Sequence, residues 1–238
     1  SVPYGRTALG RLRVRCEQDE TILDESLAPI RMPNEGWIPF YVNDSRTNGD
    51  VYCSAVGNDS NDGLTTNTPK ASLQAIIDTY DLDPSDIVYV DAGTNFIAAP
   101  IKIDQTDSGW SNLYVTIQGS TNPAAPTVFS ALSFSIPSVF SLEYAVNVRI
   151  ADLTIRSASS GVSLSRAIGC EFDRVRIENN RASGMALSQS EDIRLRRSIL
   201  WGNSTATGGV AVALSVSRIG VENSVLWGSP IAISIGSG

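Results

Sequence analysis

The chain has 238 residues, 42% of them hydrophobic, which is ample for a large core and well away from the disordered class. No apolar run reaches membrane-spanning length, so no membrane insertion is expected. No histidine is present, which excludes Ser-His-Asp and Cys-His catalysis, His-ligated zinc and a histidine base from these residues. Charge is uneven: residues 1–148 hold 8 basic and 18 acidic groups, whereas residues 149–238 hold 10 and 7, all ten being Arg. An acidic first part argues against a dedicated nucleic-acid binder, so no nucleic-acid partner is expected.

Residues 1–36 read as foreign to the remainder of the chain. Leu12 to Glu17 alternates like a strand, Gln18-Asp19-Glu20 reads as a turn, and Leu27 to Met32 suggests a second strand. Two strands cannot bury a core alone, so this pair is expected to be the end of an upstream β-sandwich module or to lie along the solenoid that the later residues suggest. Cys16 and Cys53 can pair in an exported protein, although nothing in their spacing requires it.

Residues 37–86 form a second unit, turn-rich at first. Asp59-Ser60-Asn61-Asp62-Gly63 has the oxygen spacing of a calcium loop but lacks a distal bidentate Glu. Asp59, Asn61 and Asp62 are therefore read either as Ca2+ ligands or as a plain Asx-turn cluster. A helix is expected over 69–80, with Thr68 as N-cap and Pro69 in the first helical position. Leu73, Ile76, Ile77 and Tyr80 fall on one face, which suits a helix covering the open end of a solenoid. Ile87 to Val90 then reads as the first strand of residues 87–238, and residues 91–145 as one or two irregular coils.

From Val148 the sequence repeats. Segments starting at Val148, Cys170, Ile193 and Ile219 are offset by 22, 23 and 26 residues. Each carries three alternating apolar pairs: for example Val148/Ile150, Leu153/Ile155 and Val162/Leu164, or Cys170/Phe172, Val175/Ile177 and Met185/Leu187. In the last segment the third pair is expected at Ile231/Ile233. Period-2 alternation marks a strand with one buried face, and three short strands recurring every 20-odd residues fit stacked coils. A leucine-rich repeat would need a fixed Leu and Asn pattern, which is missing. A parallel β-helix needs only inward aliphatic stacks and tolerates a coil swollen near Gly202 to Gly209. The fold class is therefore all-β, a right-handed parallel β-helix with an N-terminal capping helix. The last strand has nothing polar after it, so further coils or another subunit are expected to cover that end.

Tyr41 to Asp44, Gly57 to Leu64, Thr68 to Ala75 and Asp86 to Thr94 occur in an order that resembles the N-terminal cap of pectate-lyase-like parallel β-helix proteins. Residues 1–36 more weakly resemble the closing strands of an immunoglobulin-like or fibronectin type III module. The first resemblance implies a secreted or cell-surface protein of bacterial type. It fixes no activity, because the superfamily spans lyases, glycosidases, epimerases and surface proteins, and the matching motifs are cap motifs. A lyase of this kind would use a Lys or Arg base beside acidic calcium ligands. Lys70 and Lys102 lie outside the repeats, Asp152 sits one position off the column of Asp173, and Arg174, Arg176, Arg196 and Arg197, which could supply a base, read rather as a solvated basic face.

The eighth position of each segment gives the column Arg156, Glu178, Trp201, Trp227, with Arg176 nearby. Stacked indoles beside Arg and Glu suit a sugar-binding platform; alternatively they close a core edge. The expected function is an extracellular β-helix that binds polysaccharide, which can be anionic, and that could belong to a lyase or hydrolase. The alternative is a non-catalytic structural or adhesive module whose partners are other surface-protein modules.

Overall fold

The computed structural model describes residues 8–10, 13–15, 23–25, 30–32, 37–204, 210–215 and 217–236. Within the first 36 residues, Ala8–Gly10 pairs antiparallel with Ile30–Met32, and Arg13–Arg15 with Leu23–Glu25. Strand therefore forms near both expected positions, but each pairs with a segment the alternation alone did not show. Cys16 lies outside the described residues, and Cys53 is unbridged.

From residue 37 the chain winds through three parallel sheets. The first holds Pro39–Val42, Ile87–Val90, Val115–Gln118, Val148–Ala151, Glu171–Asp173, Ile193–Arg196 and Ile219–Glu222, hydrogen-bonded in that order. The second holds Gly93–Ile97, Thr127–Ala131, Leu153–Arg156, Arg176–Glu178, Ile199–Trp201 and Val225–Trp227. The third holds Ile101–Ile103, Ser138–Glu143, Ser160–Ser165, Ser183–Ser188, Val210–Ser215 and Ile231–Gly236. Every neighbouring pair inside the three sheets is parallel, so each coil contributes one strand to each sheet and residues 91–145 make two ordinary coils, with longer turns.

Inward residues stack in register along the axis. Phe40, Val88, Ile117, Ile150, Phe172 and Leu195 line the first sheet; Phe129, Ile155, Ile177 and Leu200 the second; Phe140, Val162, Met185 and Val212 the third. All these side chains are buried, each contributing about 1.5–3 kcal/mol of apolar burial. Cys170, just before Glu171–Asp173, is buried as well, and burial pushes its thiol up to about 12, the behaviour of a small inert hydrophobe. The last coil departs from the expected alignment: Val212 pairs with Ile233 and Leu214 with Ile235, so Ile231 matches Val210 instead. Ile231, Ile233 and Ile235 share one face, and a shift of two residues leaves that face unchanged.

The helix is shorter than its sequence pattern suggests. It spans Leu73–Thr79 and is capped by Ser72, whose hydroxyl accepts from the Ala75 N–H. Thr68 and Pro69 are not its start, because Lys70 is still extended: its N–H donates to Tyr41 O and its carbonyl accepts from Asn43 N–H. Leu73 and Ile76 enter the core, and the Tyr80 ring lies 4.9 Å from that of Phe40. The helix packs against Ile101–Ile103 and Pro39–Val42. Pro39–Val42, within the stretch read as turns, pairs with Ile87–Val90 as an additional strand of the first sheet.

Corners are tight. Between the first and second sheets, each of the last four coils turns through one left-handed residue: Asp152, Arg174, Arg197 and Asn223, at φ between 48° and 55°. A non-glycine residue pays roughly 1–2 kcal/mol for that conformation, which hydrogen bonding at the corner must offset.

Candidate functional site

The predicted column exists. Outward residues of the second sheet stack as Phe96, Ser130, Arg156, Glu178, Trp201 and Trp227. The Trp201 and Trp227 rings lie 6.4 Å apart and are inclined at 29°. Trp227 is 68% exposed and Trp201 half-buried, so both rings lie at the outer surface of the sheet. The Arg176 guanidinium sits 5.7 Å from the centroid of Trp201, and its Nε donates to Glu178 Oε2. All five residues proposed from sequence therefore lie on one face. Ile199 and Val225, exposed on the same strands, extend it as an apolar strip.

Arg156 differs from its neighbours. Its Nε is buried and has no hydrogen-bond partner among the described residues, while Arg176 is committed to Glu178. A donor without an acceptor in a half-buried position is poised for an incoming oxygen. Asn122, Asp152, Thr154, Arg174 and Arg176 border a cavity of about 200 Å³.

The first sheet carries an arginine-carboxylate lattice that the sequence offsets did not show. Asp173, fully buried, receives Arg149 at 2.6 Å, Arg174 at 2.8 Å and Arg197 at 2.6 Å. Arg174 also pairs with Asp152 at 2.6 Å, and Glu171 receives Arg149 at 3.2 Å and Arg196 at 3.5 Å. Burial alone would raise the Asp173 carboxyl, but the hydrogen bonds from Arg197 and Arg149 outweigh it and hold the group below the usual carboxylate range. Asp152 behaves likewise, with Arg174 and Gln118 as donors. Hydrogen bonds to Asp152 and Asp173 raise Arg174 and Arg197 still higher, so neither is suited to act as a base. Arg174, Arg176 and Arg197 are exposed, as a solvated face requires, yet they are also paired with carboxylates, and the pairs made by Arg149, Arg174, Arg196 and Arg197 tie successive coils together. Arg149 and the corner geometry are what sequence reasoning missed; a left-handed corner residue breaks strand parity, so its partners cannot be read from alternation.

Asp59, Asn61 and Asp62 do come together, but around a lysine. The Lys70 ammonium, buried, donates to the Asp59 and Asn61 carbonyls at 2.9 and 2.7 Å. Asp59 Oδ1 accepts from the Ala71 and Ser72 amides, and Asp62 Oδ1 from Leu64 N–H and the Thr68 hydroxyl. A cation already occupies the carbonyl oxygens, so this donor set does not fit calcium as it stands. Among the described residues no three His, Cys, Asp or Glu side chains converge as a metal site.

No protein-family model and no curated protein sequence matches the chain. Solved structures do. The alginate lyase from Paenibacillus sp. str. FPU-7 is similar at 19% identity and a TM-score of 0.56, over 65% of this chain and 56% of that one. A rhamnogalacturonan lyase is similar at 14% identity and a TM-score of 0.59, over 84% of this chain and 62% of that one. Pectate lyase Pel9A is similar at 16% identity and a TM-score of 0.51, over 79% of this chain and 54% of that one. The chain thus spans little more than half the length of these proteins, and three stacked parallel sheets give it the pectate-lyase-like parallel β-helix fold.

Proposed function

We propose that this chain is the polysaccharide-binding part of an extracellular, polysaccharide-active β-helix protein. The observation that carries the reading is the exposed Trp201–Trp227 pair flanked by the Arg176–Glu178 bond. Indole faces pack on the apolar faces of pyranose rings, and the charged pair orients hydroxyl groups. Arg156, its Nε unsatisfied, adds a site for a carboxylate or sulfate oxygen, which favours an anionic polymer. The structural neighbours support the substrate class, since their names specify alginate, rhamnogalacturonan and pectate. No residue is assigned a catalytic role. The Asp173 lattice braces coils, so a lyase or hydrolase reaction would draw on groups outside it.

The rival reading is a structural or adhesive module. Exposed Ile199 and Val225 favour it, because a neighbouring protein module could cover that strip together with the indoles.

Trp201→Ala and Trp227→Ala on a polysaccharide array decide between them. The proposal expects each to weaken binding by roughly five- to tenfold, equivalent to about 1–1.4 kcal/mol, with the far-ultraviolet spectrum unchanged. Unchanged binding to every polysaccharide would leave the module reading standing. Incubation with uronate polymers, watched for absorbance of unsaturated products, tests a lyase directly.

A further inference from the structure

The tryptophan pair is one end of a longer feature. The same outward column begins at Phe96, which is 67% exposed on Gly93–Ile97, and reaches Trp227 after five strand-to-strand steps. At about 4.8 Å per step this spans ~24 Å along the solenoid axis. A parallel outward column, Thr94, Val128, Thr154, Arg176, Ile199 and Val225, flanks it in register. Phe96 borders a cavity of about 450 Å³ with Asp44, Ser72, Gln74, Asn95 and Ile97, a volume in the range of ligand pockets. Between the aromatic ends, Ser130 and Glu178 are buried and Arg156 is half-buried, so this section is polar. Arg156 lies in this middle section, and the 200 Å³ cavity adjoins the flanking column at Thr154 and Arg176.

The backbone around Phe96 is held firmly: Gly93–Ile97 pairs with Thr127–Ala131 at all five positions. An aromatic side chain displayed on a rigid strand, beside a cavity and in register with two exposed indoles, is arranged for a ligand that reaches all three. We infer that the outer face of the second sheet is one axial binding track, with Phe96 and its cavity forming a second saccharide subsite at the end opposite the tryptophans. The ligand class is an extended, unbranched polysaccharide with about one ring per coil, ring faces on the aromatic ends and polar groups over the section of Ser130, Arg156 and Glu178. This rests on the polysaccharide reading above and adds its direction, length and far subsite.

Linking two end subsites through one chain makes the second contact intramolecular, so affinity should depend on ligand length. The test is calorimetric titration of oligogalacturonates and cello-oligosaccharides, dimer to octamer, into the intact chain, Phe96→Ala and Trp227→Ala. Both side chains are mostly exposed, so both variants are expected to fold. In the series that binds, affinity should climb until the ligand spans both ends. Phe96→Ala should leave the dimer unaffected and weaken the octamer roughly five- to tenfold; Trp227→Ala should weaken both. If Phe96→Ala matches the parent at every length while Trp227→Ala still weakens binding, the track is wrong and the polysaccharide reading stands. If neither variant differs from the parent, or no probe in either series binds, both fall.

Discussion

Asp173 shows how a single buried charge can be made stable. Three guanidinium groups reach it from three coils, and its carboxyl is held below the ordinary range despite burial. A group so depressed stabilises the fold above its unfolded pKa, near 4, and loses that contribution as pH falls through the folded value. Asp173→Asn should cost about 2 kcal/mol at neutral pH, because Arg197 loses its anion while Arg149 and Arg174 keep Glu171 and Asp152. The difference from the parent should shrink below about pH 4 in denaturant titrations. Asp107 has the opposite sign. Burial pushes its carboxyl up to about 7, against the hydrogen bond from Leu82 N–H. The folded state then binds more protons than the unfolded one between about pH 4 and 7, so stability contributed by this group falls as pH rises through that window. Asp107→Asn should flatten this slope and raise the melting temperature at pH 8 more than at pH 5.

At the scale of strands, the unit is a stack of apolar side chains over several coils. Ile177 lies between Ile155 and Leu200, fully buried, so Ile177→Ala should open a cavity felt by both neighbours. A loss of about 2–5 kcal/mol in chemical denaturation is expected. These stacks were legible in the sequence because alternation in regular coils fixes both face and register, as Ile150, Phe172 and Leu195 show. Legibility failed where alternation is degenerate or interrupted. Three alternating isoleucines from Ile231 allow two alignments on one face, and the turn before them decides which forms. Thr68 and Pro69 carry the chemistry of a helix start, yet the backbone of Lys70 is claimed by Tyr41 and Asn43, so the helix waits for Ser72. The Trp201–Trp227 face was readable from spacing alone; Phe96 was not, because the irregular coil after it hides its offset to Ser130.

On the scale of the whole molecule, contacts run mainly between neighbouring coils, so stability should be graded along the axis. The coil of Ile219–Glu222, Val225–Trp227 and Ile231–Gly236 leaves Ile233 and Ile235 exposed where their counterparts Val212 and Leu214 are buried. Amide exchange should therefore be fastest in that coil and slowest around Phe129 and Phe140, whose rings meet edge-on at 5.2 Å. Uniform protection across coils would show instead a single cooperative unit.

The one- and two-residue corners at Asp152, Arg174, Arg197 and Asn223 leave little slack between the first two sheets. Lengthening the chain there would push a strand out of line with its neighbours and pull arginines away from Asp152 and Asp173. The passage from Trp201 to Val210 is already longer than its counterpart from Glu178 to Ser183, while the strands on either side stay aligned. Loop grafts, epitope tags or new recognition segments therefore belong on that side of the ribbon, and the arginine-bound corner sets the limit on where such a scaffold can be rewritten.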